Sequence, residues 1–139
     1  MNKPTIILPG GQHVYILENS DWMAVYRNGC TVTVKTAPHT FWILLHYSLD
    51  QLYSMTTQAC LNASIPPGEC PPLPLADIIR GGLLSNGGEW QMLALERAAE
   101  FDGKHLLQAE ISQLVTSGKT QAIRHRALKL RARLKRQRP

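Results

Sequence analysis

Trp22-Met23-Ala24-Val25-Tyr26-Arg27-Asn28-Gly29-Cys30-Thr31-Val32-Thr33-Val34-Lys35 is the stretch that decides the fold. Two runs rich in β-branched and aromatic side chains flank Asn28-Gly29, and the second run alternates polar and apolar residues. Such side chains suit strands, and Asn-Gly favours the positive φ angles of a type I′ turn. Residues 22–35 are therefore expected to form a β-hairpin. Upstream, Thr5-Ile6-Ile7-Leu8 is closed by Pro9-Gly10-Gly11, and Val14-Tyr15-Ile16-Leu17 runs into a polar break at Glu18-Asn19-Ser20-Asp21. This reads as an antiparallel meander of three or four strands. A lone meander is marginal in water, so another element must cover one face.

The next segment supplies the cover. Pro38 suits the first turn of a helix, and Thr40 suits a cap. Phe41, Leu45, Leu49, Leu52, Met55 and Ala59 step by three or four residues, and Trp42 and Tyr53 widen the stripe. That period predicts one helix over 40–61. Five of the nine prolines then fall between Pro66 and Pro74, which reads as a stiff connector. A short helix over 75–84 is expected to break at Gly81-Gly82. A helix over 89–101 would bury Trp90, Leu93, Ala94, Arg97, Ala98 and Phe101. Two more are expected over 106–115 and from 120 to about 136. The expected class is α+β: an N-terminal β-meander with a covering helix (1–62), a Pro/Gly-rich connector with a short helix (63–88) and a C-terminal helical unit ending in a basic helix (89–139).

Charge is distributed unevenly. The 139 residues carry a formal net charge of +5. Residues 1–118 hold six basic and ten acidic side chains, a net of −4, whereas residues 119–139 hold nine basic side chains and no acid. An acidic body with a strongly basic tail suggests a polyanionic partner. The longest apolar run, from Phe41 to Leu45, is too short to span a membrane. The first residues lack the apolar run of a secretory signal. Cys30, Cys60 and Cys70 form no Cys-x-x-Cys pair and lack a nearby histidine. They read as free, mostly buried thiols in a reducing compartment, with Cys30 in a strand. A cytoplasmic location follows.

No catalytic constellation stands out, and no enzyme activity, cofactor or metal is expected. Gly118-Lys119-Thr120 lacks the upstream glycine and preceding strand of a phosphate-binding loop. His39 and His46 have no adjacent acid to complete a metal set. Glu96, Glu100 and Glu110 fall on helix surfaces, where they are placed to balance the basic tail. Asp77 and Glu89 fall near helix starts, where the dipole favours acids.

The segment 107–128 resembles a helix-turn-helix. Ala109 would sit where the helices cross, Ile111, Leu114 and Val115 in the first helix's core, Gly118 in the turn, and Ala122 and Ile123 at the seat of the second helix. The turn is one or two residues longer than is usual for that motif. On the last helix, Ile123, Ala127, Leu130 and Leu134 span a seam about 60° wide at about 100° per residue. The basic residues there, with Arg138, are six arginines to two lysines, and arginine suits bidentate contact with phosphate and guanine. The expected function is nucleic-acid binding, as a DNA-binding regulator or accessory factor, with DNA placed ahead of RNA. Lys119, Arg124, Arg126, Lys129, Arg131, Arg133, Lys135 and Arg136 would hold phosphates, and Gln121 and His125 would reach base edges. A homodimer or a protein partner is the further expectation, with no membrane contact. The alternative is a protein-interaction subunit or inhibitor that docks its basic helix and apolar surfaces on a larger complex.

Overall fold

The computed structural model describes residues 3–136. Strands β1 (Thr5–Ile7), β2 (Val14–Glu18), β3 (Asp21–Val25) and β4 (Thr31–Val32) form one antiparallel sheet in chain order. Tyr15 lies opposite Ile6 on one side and Ala24 on the other, and Leu17 lies opposite Trp22. Alternation along the strands sends all five of these side chains, together with Leu8, to one buried face. The other face presents Ile7, Val14, Ile16, Met23 and Val25, with Ile7 exposed and the rest half-buried.

The type I′ turn is not where the Asn-Gly pair pointed. Asn19 and Ser20 take φ of 53° and 68° and join β2 to β3, with Glu18 facing Asp21. Two successive positive φ values are the mark of that turn. At Asn28-Gly29 only the glycine has positive φ, at 87°. The Gly29 N–H donates to Tyr26 O (2.9 Å), and the Tyr26 N–H to Cys30 O (2.8 Å). This is a three-residue loop closed by a glycine bulge. β4 ends at Val32, well before Lys35, because the Ala37 N–H donates to Thr33 O (3.0 Å) and turns the chain.

The covering segment is two helices and not the single one expected over 40–61. Residues Pro38–His46 form a 3-10 helix, and α1 spans Leu49–Asn62. Pro38 opens the first piece, but Thr40 does not cap it; its hydroxyl donates to Ala37 O (2.7 Å). The break falls at Ser48, whose backbone is extended (φ −64°, ψ 159°). Ser48 Oγ accepts from the Gln51 N–H (3.1 Å), and the Ser48 N–H donates to Gln51 Oε1 (2.8 Å). This reciprocal cap starts a new helix where the apolar period alone would continue the old one. Phe41, Leu44, Leu45, Leu49, Leu52 and Ala59 are buried, so the stripe survives the break. The buried Tyr15 hydroxyl donates to Thr40 O (2.7 Å), tying the sheet to the 3-10 helix. Burial, with a smaller contribution from Tyr47, raises its pKa well above the ordinary phenol range and keeps it a donor.

The prolines lead the chain back along the core. The Trp22 indole N–H donates to Pro71 O (2.9 Å), and Leu73 is buried. Cys60 and Cys70 form a disulfide, which corrects the reading of free thiols. Cys30 is free but exposed, not buried in a strand. The bond joins the last turn of α1 to the middle of the proline-rich loop.

Helices α2 (Leu75–Leu83), α3 (Gly88–Glu100), α4 (Gln108–Ser117) and α5 (Gln121–Arg136) complete the fold, with a 3-10 turn at Lys104–Leu107. Gly81-Gly82 does not interrupt α2. A Cβ on Gly82 would lie 2.6 Å from Leu45 Cδ1 and 2.8 Å from Ala94 Cβ, and one on Gly81 would lie 3.0 Å from Trp42 Nε1. The pair lets three helices touch, and close packing outweighs the helix-propensity cost of about 1 kcal/mol per glycine. On α3 the buried residues are Gln91, Ala94, Leu95 and Ala98, whereas Trp90, Leu93, Arg97 and Phe101 are half-buried. One contiguous buried cluster runs from Ile6 in β1 to Leu134 in α5. No helix among the described residues is long and apolar enough to cross a membrane.

Two stability changes follow. Gly82→Ala should lower unfolding free energy by about 1–3 kcal/mol through overpacking, although alanine is the better helix former; thermal denaturation would show a lowered midpoint. Reducing the Cys60–Cys70 bond should cost about 2–3 kcal/mol, as expected for a short closed loop. Denaturant titration with and without reductant measures that difference, and Cys70→Ser should abolish it.

Candidate nucleic-acid interface

α5 is held by its apolar seam. Ile123, Ala127, Leu130 and Leu134 are all buried, and the helix packs on α3 and α4. The turn before it, at Gly118, is crowded. A Cβ there would lie 2.8 Å from both Ile123 Cγ2 and Leu114 O, so glycine is needed for space; its φ of −57° is ordinary. The Arg124 guanidinium donates to Gly118 O (2.8 Å), and Thr120 Oγ1 accepts from the Ile123 N–H (3.2 Å). Both contacts close the first turn of α5 on its own loop.

A buried glutamine fixes the start of that helix relative to the body. Gln91 Nε2 donates to Ser85 O (2.8 Å), and its Oε1 accepts from the Lys119 N–H (2.9 Å). One side chain therefore links α3, the α2–α3 loop and the turn before α5. The sequence reading missed it, because the face drawn on this helix ran through Trp90, Leu93, Ala94, Arg97, Ala98 and Phe101. The signal was present: Gln91, Ala94, Leu95 and Ala98 have the spacing of one helix face.

The structure brings the expected site residues onto α5, with Lys119 in the turn before it. Lys119, Gln121, His125, Arg126, Lys129, Arg133, Lys135 and Arg136 are exposed, and Arg124 and Arg131 are half-buried. Arg138 lies outside the described residues. Among the described residues, no basic side chain of α5 forms an ion pair. Six acids of the body are engaged elsewhere, among them Glu18 with Lys3 and Glu89 with His46. Arg80 bridges Asp77 and Glu110 (both 3.0 Å), and Arg97 lies 3.5 Å from Glu96 and 3.4 Å from Glu100. Glu100 also accepts from the Leu49 N–H (2.9 Å), at the start of α1. The glutamates expected to balance the tail thus serve the body instead. Asp77 and Glu89 do fall in the first turns of α2 and α3.

The helix-turn-helix resemblance meets the structure unevenly. Ile111, Leu114 and Ile123 are buried and Val115 is half-buried. Ala109 and Ala122 are exposed, so neither takes the packing role expected of it. The close approach between the helices is made at Gly118.

One other concavity stands out. A cleft of about 380 Å³ lies between β2, β3 and the 3-10 helix, lined in part by His13, Tyr26, Arg27, His39, Ile43 and Trp90. Among the described residues, no group of three or more His, Cys, Asp or Glu side chains could hold a metal ion. No protein family, no curated protein and no solved structure matches the chain.

Gln91→Leu should strand the Ser85 carbonyl and the Lys119 N–H, costing about 1–3 kcal/mol. Denaturant unfolding gives the loss. Hydrogen exchange should speed up at the Lys119 amide, while amides in β2 and β3 follow only the global change in stability.

Proposed function

We propose that the protein binds nucleic acid through α5, as a DNA-binding regulator or accessory factor. The observation that carries this reading is the uncompensated charge of that helix. Seven basic side chains between Arg124 and Arg136 form no ion pair among the described residues, although the body holds ten acids. Leaving like charges together on one helix destabilises it slightly. A polyanion that releases counterions on binding offsets that repulsion many times over. Arginine outnumbers lysine on the helix, which suits phosphate and guanine contacts. The reaction is association alone, with no bond made or broken. A cytoplasmic site of action goes with a DNA partner. The Cys60–Cys70 bond is the one feature that argues for an oxidising setting.

A second reading, a protein-interaction subunit, is favoured by the open face of the sheet. Ile7 is 63% exposed there, beside Val14 and Val25. The two readings differ in what charge removal does. Because the seam of α5 is part of the core, the test neutralises exposed charges and keeps the helix.

Arg126, Lys129, Arg133 and Arg136 are exposed, so replacing all four with glutamine should leave the thermal midpoint unchanged. Fluorescence anisotropy on random-sequence duplex DNA across a salt series is the measurement. The slope of log K against log salt should become shallower by about 3 to 4, at about 0.9 per phosphate contact. Equal binding by both proteins, or none by either at low salt, would sink the nucleic-acid reading and leave the protein-partner one.

A further inference from the structure

α5 is not uniformly basic around its circumference. With Ile123 at zero and about 100° per residue, Arg131, Arg124 and Lys135 fall at about 80°, 100° and 120°. On the same scale Arg136, Lys129, Arg133 and Arg126 fall at about 220°, 240°, 280° and 300°. Between these two stripes, opposite the buried seam, runs a ridge without lysine or arginine: Leu128, Gln121, Ala132 and His125, at about 140° to 200°. All four ridge residues are exposed, and Leu128 keeps 43% of its surface open. The body covers the seam and leaves the ridge as the outermost line of the helix.

This is the charge pattern that suits a helix lying in the major groove of duplex DNA. An α-helix with its side chains is about 10–12 Å across, and the groove is about 12 Å wide. The two basic stripes are then placed against the two phosphate backbones. The ridge faces the base edges, where charge is not what discriminates. Its side chains carry base-reading chemistry instead. A glutamine pairs with adenine N6 and N7, apolar side chains contact the thymine methyl, and a histidine donates to or accepts from a base edge. We infer that Gln121, His125, Leu128 and Ala132 form a sequence-reading ridge specific for a short duplex DNA site containing A·T pairs. This rests on α5 being the nucleic-acid-binding element proposed above. From Gln121 to Ala132 the ridge runs about 16 Å along the axis, the length of about five base pairs at about 3.4 Å each. A-form RNA does not fit, because its major groove is too deep and narrow for side chains to read.

The test is selection from a randomised duplex library with the full chain, alongside Gln121→Ala and His125→Ala. Both side chains are exposed, so folding is preserved, and circular dichroism checks it. The wild type should enrich a motif of no more than about five base pairs with at least one A·T pair. Gln121→Ala should weaken binding to that motif about tenfold, lose much less on random duplex, and keep the salt slope, since no charge is removed. His125→Ala should relax a different position. If the wild type binds duplex with steep salt dependence but enriches no motif, the ridge inference is overturned and the nucleic-acid reading stands. If structured RNA outcompetes every duplex, the inference is likewise overturned. If no nucleic acid binds at low salt, both readings fall together.

Discussion

The fold depends on one close approach, where the backbone of α2 at Gly82 meets Leu45 and Ala94. No side chain larger than hydrogen fits there without moving its neighbours. Leu45 belongs to the segment that covers the sheet, and Ala94 belongs to the helix that supports the C-terminal pair. The sheet and the basic helix are thus parts of one core because three helices touch at a glycine. Interiors are packed as tightly as organic crystals, so a contact of this kind fixes relative positions and does not merely permit them.

From that contact the placement of α5 follows in two steps. α3 is set by Ala94, and three residues earlier Gln91 reaches the Lys119 amide. The buried amide group of Gln91 is satisfied at both ends, so it specifies geometry without the penalty of an unpaired polar group. The seam residues Ile123, Ala127, Leu130 and Leu134 then need only complete the packing. Acids and bases sort in the same way. Arg80 ties α2 to α4 through Glu110, Arg97 pairs with Glu96 and Glu100 within α3, and Glu100 reaches α1. The charges that build the body are therefore different residues from the charges displayed on α5.

Much of the architecture was legible in the sequence. The strand-like runs and the turn signals between them gave the meander, and the three-and-four spacing gave the seam of α5 and the stripe of the covering segment. What was misread has a common cause. The turn type at Asn28-Gly29, the break at Ser48 and the unbroken helix through Gly81-Gly82 are each settled by a local hydrogen bond or by a tertiary contact that dipeptide preference does not encode. Asn19-Ser20 adopts the type I′ turn because the register between Leu17 and Trp22 demands it. The Cys60–Cys70 bond was hidden for a similar reason, since only the folding back of the proline-rich loop brings the two sulfurs together. Gln91 shows the reverse error: its spacing with Ala94, Leu95 and Ala98 places it inside, and the face drawn through Trp90, Leu93 and Arg97 left it out. The basic residues of α5 were legible as a set because charge counts need no fold. Their division into two stripes required knowing which face the body covers.

That division separates the residues that hold α5 in the fold from the residues it displays. The seam occupies about 60° of the circumference at about 100° per residue, and four side chains fill it. Nearly all the rest is free of structural duty, since its charges pair with nothing in the described chain and its side chains bury little. Arg124 is the exception: its guanidinium bonds Gly118 O, and it is half-buried. It closes the turn and stands in a basic stripe, so it alone couples the folding of the loop to the charge of the surface. A helix built this way can change its outer residues, and with them its partner preference, at little cost to the fold.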